Sequence, residues 1–73
     1  MSQAVVKSAQ RAFAILELFE LERRPLSLTE VTQALRYPTS STAALLKSLV
    51  VTGYLEFDRA RRAYRPTMRI AVL

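Results

Sequence analysis

Three helical stretches, a short alternating hairpin behind them and an apolar start to a fourth helix predict a mostly α domain with one β-hairpin: a winged helix-turn-helix. Three observations carry this expectation. Apolar residues recur at helical spacing over residues 8–22, 28–35 and 38–52. A tight corner at Arg36-Tyr37-Pro38 separates the second stretch from the third. Tyr54 to Asp58 then alternates with period two, and an arginine-rich turn leads to Ala63-Tyr64-Arg65. The domain is expected to span residues 1–66, with residues 67–73 beginning a linker helix.

The first helix is expected to start on Ser8 as its cap and to end near Glu22, before Arg23-Arg24-Pro25. Ala9, Ala12, Phe13, Leu16 and Phe19 share one face and form the expected core stripe. Ala14, Leu18 and Leu21, with Ile15 at the margin, form a second stripe. Two readings of it stand: cover by the final segment, or contact with another subunit. On the second reading the dimer interface takes Ala14, Ile15, Leu18, Leu21, Ile70 and Leu73.

Ser27-Leu28-Thr29-Glu30 fits a capping box. The Ser27 hydroxyl accepts from the Glu30 N–H, and the Glu30 carboxylate reaches back to Ser27. The short helix that follows turns Leu28, Val31 and Leu35 inward. Pro38 disfavours a helical Tyr37, so the chain must turn there, and proline suits the first position of the next helix. That third helix runs to about Thr52 with Leu45, Leu46 and Leu49 inward, and Gly53 serves as its left-handed cap. Thr42 also lies on the inward arc. Its hydroxyl is expected to bond back to the carbonyl four residues earlier. In the hairpin, Leu55 and Phe57 point inward, Glu56 faces Arg65 across the strands, and Pro66 ends the return. Thr67 to Leu73 reads as the opening of a fourth helix. It stops on the apolar run Ile70-Ala71-Val72-Leu73, so a longer protein is expected to continue beyond it.

Composition excludes several functions. The 73 residues contain no cysteine and no histidine, so disulfides, thiolate or imidazole metal sites and histidine-based triads have no ligands or bases. No cofactor and no enzymatic activity are expected. No apolar run approaches the roughly 20 residues of a membrane span, and no signal peptide opens the chain, so the cytoplasm is the default location.

The formal charge is +5, and it is unevenly placed. Residues 1–35 balance four cations against four carboxylates, whereas residues 36–73 set seven cations against Glu56 and Asp58 alone, which accounts for the whole surplus. Such asymmetry points to a polyanion, nucleic acid before membrane surface. On the third helix, Ser40, Ser41, Ala44, Lys47 and Ser48 face away from the core. Small hydroxyl residues let a helix approach bases and phosphates closely, and alanine methyls can meet a thymine methyl. The free N–H groups at the helix start attract phosphate. The blander reading is that Thr39, Ser40 and Ser41 only satisfy backbone donors in the first turn, and that Lys47 is a solvated lysine. Arg59, Arg61 and Arg62 crowd the hairpin turn, with Arg65 just after it. Folding gains nothing from like charges there, so an anionic partner is the better account.

These residues resemble a known family. Arg11-Ala12-Phe13-Ala14-Ile15-Leu16-Glu17-Leu18, Leu26-Ser27-Leu28-Thr29-Glu30-Val31, the run from Pro38 to Leu49, Gly53-Tyr54-Leu55 and Tyr64-Arg65 together resemble the DNA-binding domain of IclR-family bacterial transcription regulators. The resemblance spans nearly all of residues 6–73, in order and in spacing. It implies a winged helix-turn-helix that binds double-stranded DNA as a homodimer, joined through the first and linker helices. It implies a further C-terminal domain that binds an effector molecule. It places groove-facing positions on Thr39, Ser40, Ala43, Ala44 and Lys47. Two departures stand out. Family members often carry a basic or aromatic pair where this chain has Ala43 and Ala44, and many have glycine in the turn where it has Arg36, a residue placed to touch the DNA backbone itself. A second class of function is a protein-binding winged helix, its apolar first helix holding a partner and its basic wing serving solubility. A gel shift on random duplex at low salt separates the two.

Overall fold

The computed structural model describes the protein over residues 6–71, with side chains through Arg69. Four helices and one hairpin follow in the order α1 (Lys7–Glu22), α2 (Leu28–Leu35), α3 (Thr39–Val51), β1 (Leu55–Asp58), β2 (Ala63–Pro66) and α4 (Met68–Ala71). Most expected elements are present, and the differences have physical causes.

α1 starts two residues before the position a Ser8 cap would give. Val6 is the extended residue before it and makes no side-chain cap, so Ser8 lies inside the first turn. Its inward face is also rotated from the expected stripe. Ile15 and Phe19 are fully buried and Leu16 nearly so. Ile15 is therefore a core residue and not part of an interface stripe. Phe13, expected in the core, is 62% exposed, and Ala9 is exposed as well. A continuous apolar face cannot be assigned by its own pattern. The packing partners fix its rotation, and here the core lies beneath the C-terminal half of α1. Arg23 ends the helix in a left-handed conformation, its N–H bonded to the Phe19 carbonyl at 2.9 Å.

α2 opens with the expected capping box. The Glu30 N–H donates to Ser27 Oγ at 3.1 Å, and the Ser27 N–H donates to Glu30 Oε1 at 2.9 Å. Val31 is fully buried, with Leu28 and Leu35 half-buried against the core. Arg36 caps the helix at φ 58°, and its N–H bonds the Thr32 carbonyl at 2.7 Å. Arg36 thus occupies the left-handed region that most readily takes glycine.

Pro38 sits just outside α3, as its extended N-cap, and not at the first helical position. Leu46 is fully buried, Leu49 nearly so and Leu45 half-buried. Thr42 is fully buried too, but its hydroxyl does not bond backward. The Ser41 hydroxyl donates to the Pro38 carbonyl at 3.3 Å, and Thr42 Oγ1 has no hydrogen-bond partner among the described residues. At the other end Gly53 is left-handed, φ 90°. Its N–H bonds the Val50 carbonyl and the Tyr54 N–H bonds the Leu49 carbonyl, which together satisfy the last turn of α3.

β1 and β2 pair antiparallel, with Glu56 opposite Arg65 and Phe57 opposite Tyr64. Leu55 is buried, whereas Phe57 is 43% exposed and rests its ring on Tyr64, centroids 4.8 Å apart. An inward-alternating position thus meets a neighbouring ring and is not part of the buried core. An unforeseen third segment anchors the sheet. Leu26 exchanges both backbone bonds with Tyr64, at 2.9 and 2.8 Å. This ties the start of α2 to the returning strand. The opening of α4 is capped by Thr67, whose hydroxyl accepts from the Arg69 N–H and donates to the Gly53 carbonyl at 2.6 Å.

Candidate nucleic-acid interface

The corner between α2 and α3 holds one long face of α3 away from the core. Thr39, Ser40, Ala44, Lys47 and Ser48 are exposed there, while Ser41 and Ala43 are half-buried on its flanks. The burial of Thr42, Leu46 and Leu49 dictates this face, because 100° per residue leaves the remaining positions on the far side. The face carries no carboxylate and one cation, Lys47.

The wing tip is built by Asp58. Its Oδ1 accepts from the backbone N–H groups of Ala60 and Arg61, at 3.0 and 3.2 Å. Arg62 closes the turn in a left-handed conformation, φ 52°. The turn therefore displays Arg59, Arg61 and Arg62 to solvent on a fixed backbone. Arg61 leans toward Asp58 Oδ2 at 3.9 Å. Arg62 borders a notch with Ser27 and Thr29 at the start of α2 and Phe57 and Tyr64 of the hairpin. Arg65 differs from the tip residues. It bonds Glu56 Oε1 at 3.1 Å, as its cross-strand position predicts, so much of its charge is met within the hairpin. Among the described residues no carboxylate pairs with Arg36, Lys47, Arg59 or Arg62.

Two further cations join this surface. Lys7 and Arg11 border a groove with Ser8 of α1 and Ser41, Ala44, Leu45 and Ser48 of α3. Charge counting hid them, because the N-terminal half is neutral in sum. The available signal was position. Lys7 and Arg11 stand four apart on one face of α1, while Glu17, Glu20 and Glu22 occupy its other end. There Glu20 pairs with Arg23, and Glu22 and Glu30 both pair with Arg24. The half that sums to zero is thus polarised: Lys7 and Arg11 lie beside α3, while Arg23 and Arg24 are paired with carboxylates at the far end of α1 and the start of α2.

The residues expected at a dimer interface are not brought together as one stripe. Ile15 is internal, Ala14 and Leu18 are half-buried, and Leu21 is 79% exposed. The side chains of Ile70 and Leu73 lie outside the described residues. A separate apolar groove, unforeseen as a surface, is lined by Ala9, Ala12, Phe13, Leu16, Leu49 and Tyr54. Among the described residues no group of three or more acidic side chains could hold a metal ion, and no helix is long and apolar enough to cross a membrane.

A short α2, a three-residue turn, an α3 with an exposed polar face and an arginine-tipped hairpin define a winged helix-turn-helix of the kind that binds DNA in transcription regulators. Residues 8–59 match the IclR helix-turn-helix domain, and the chain belongs to that family. It is 29% identical over 66 residues to the HTH-type transcriptional regulator XynR of Escherichia coli (strain K12), a match covering 90% of this chain and 26% of that protein. Its fold superposes on a transcriptional regulator from Alicyclobacillus acidocaldarius with a TM-score of 0.83 at 22% identity, over 94% of this chain and 28% of that one. Pseudomonas aeruginosa HmgR gives a TM-score of 0.80 at 21% identity, over 92% of this chain and 29% of its own. The chain therefore spans between 26% and 29% of the length of these relatives.

Proposed function

We propose that the chain is the operator-binding domain of a ligand-responsive bacterial transcription regulator, with α3 in the major groove and the wing against phosphates or the minor groove. One observation carries this reading. The uncompensated cations Arg36, Lys47, Arg59 and Arg62 accompany a carboxylate-free helical face, with Lys7 and Arg11 along its flank. Duplex DNA supplies the dense negative charge that such a surface lacks. In this reading Arg36, Lys47, Arg59, Arg61 and Arg62 meet the backbone, Arg65 contributes less because Glu56 holds it, and Thr39, Ser40, Ser41, Ala43 and Ala44 approach base edges.

The reading extends to a homodimer joined through α1 and a longer fourth helix, supported by the exposed Phe13 and Leu21 on α1. It further takes residues 67–73 as the link to a second domain that binds the effector, and places the protein in the cytoplasm, with no catalytic role. Two copies would read half-sites about 34 Å apart. With three or four phosphate contacts per copy, log K falls against log salt with a slope of about −5 to −7. A titration of duplex from low to high salt tests the core of the reading. An affinity that ignores salt refutes it. Replacing Arg61 and Arg62 with alanine weakens binding to all sequences alike, whereas changing Ser40 or Ala44 shifts which sequence is preferred.

A further inference from the structure

The Arg11 guanidinium carbon lies 4.9 Å from the centroid of the Tyr37 ring. The two residues come from different elements, α1 and the turn before α3, and both are half-buried. Among the described residues Arg11 has no carboxylate partner and makes no side-chain hydrogen bond. Its planar fork therefore keeps its five N–H donors free while one face rests on an aromatic ring. The groove at its side is shared with α3 and holds a second cation, Lys7, but no acidic residue.

A stacked arginine with unused donors is poised to receive an anion. A free arginine side chain carries considerable rotamer freedom, and immobilising it on binding opposes affinity. The ring removes part of that freedom beforehand. Burial of Tyr37 against Arg11 also places this cation at the rim of α3, beside Ser41, Ala44 and Ser48, and outside both the helix face and the wing. We infer that Tyr37 is a positioning residue that holds Arg11 to receive a backbone phosphate of the duplex on the α1 flank of the recognition helix. This inference rests on the duplex-binding reading above.

A double-mutant cycle on the 73-residue chain tests it, with random-sequence duplex DNA as the probe at low salt. Tyr37→Leu removes the ring and should weaken binding about two- to fivefold, the worth of one cation–π contact. Tyr37→Phe keeps the ring and should bind like the parent. Arg11→Ala should weaken binding further and make the salt slope shallower by about 1 per copy bound. The double variant R11A/Y37L should bind no more weakly than R11A alone. A thermal melt of each variant separates affinity from folding, since a purely structural role for Tyr37 leaves the two losses multiplicative. Multiplying losses, or an R11A affinity equal to the parent's, overturns the positioning role while leaving duplex binding intact. A Y37F variant as weak as Y37L overturns it too, because the hydroxyl and not the ring would then be acting. A parent chain that fails to bind duplex overturns both readings.

Discussion

Thr42→Val should make the domain more stable. Thr42 is fully buried on the inward face of α3, one turn before Leu46, and its Oγ1 has no partner among the described residues. A buried hydroxyl without a hydrogen bond costs about 1–3 kcal/mol. Valine has almost the same shape and a similar helix propensity, so neither overpacking nor a helix penalty opposes the exchange. Part of the hydroxyl cost relaxes away in any real core, which leaves an expected gain of about 1–2 kcal/mol. For a domain of this size that corresponds to a rise in Tm of roughly 5–15 °C. Thermal and urea denaturation of both chains measure it, and the urea slope should stay constant because the surface exposed on unfolding is unchanged. Thr42→Ser is the control. It keeps the hydroxyl, deletes a buried methyl and should lose about 1 kcal/mol. Since Thr42 faces the core, duplex affinity should follow neither change. A valine variant that melts at or below the parent temperature would refute the reasoning and show that the hydroxyl is satisfied in solution.

Two other variants probe the turn and the cap. Arg36→Gly relieves a left-handed arginine but frees the unfolded chain, two effects of about 1 kcal/mol and opposite sign. The melting temperature should therefore barely move while duplex affinity drops, and a large stability change would show that Arg36 packs structurally. The bond from the Ser27 N–H, then the Arg24 contact, hold the Glu30 carboxyl below its ordinary value of 4.5. The stabilisation this carries is complete above that pH and is lost as the pH falls through the lowered value. Glu30→Gln keeps an acceptor for the cap and should flatten the acid limb of a stability-versus-pH curve. An unchanged limb would assign it to other carboxylates.

Much of the fold was legible because local chemistry decided it. Ser27 and Glu30 can satisfy two orphan donors only by starting a helix there, and Gly53 can supply a left-handed cap at little cost. The corner before Pro38 followed from sterics alone. What escaped depends on partners distant in sequence. The rotation of α1 was unreadable because its apolar residues cover more than one face, and the choice of Ile15 over Phe13 is made by packing. Leu26 carries no strand signal of its own, and only the Tyr64 backbone makes it one. The candidate interface divides the same way. The wing arginines and the polar face of α3 stood out in the sequence, whereas Lys7 and Arg11 were cancelled in a sum by carboxylates that lie elsewhere on α1.

The placement of charge also bears on how sequence choice arises. Side chains on the exposed face of α3 are short, three hydroxyls at Thr39, Ser40 and Ser48 and a methyl at Ala44, except for a single long cation at Lys47. Lys47 alone can donate to a guanine edge, as a point charge, and the others lack the paired donors and acceptors that discriminate a base by about 1–3 kcal/mol. The cations around the helix read phosphates, which position the protein without naming a sequence. On the proposed reading, a substantial share of the discrimination must then come from DNA shape, and the arginines of the wing are the residues equipped to sense it. A narrow, A-tract minor groove concentrates negative potential and attracts inserted arginine. Two duplexes that share the major-groove sequence under α3, one with an A-tract beneath the wing and one with G·C pairs, should therefore differ in affinity. The difference should shrink when Arg59 and Arg62 are replaced by alanine. Equal affinity of the parent chain for both duplexes would return sequence choice to α3, and would require its small side chains to bring the helix backbone within hydrogen-bonding reach of the bases.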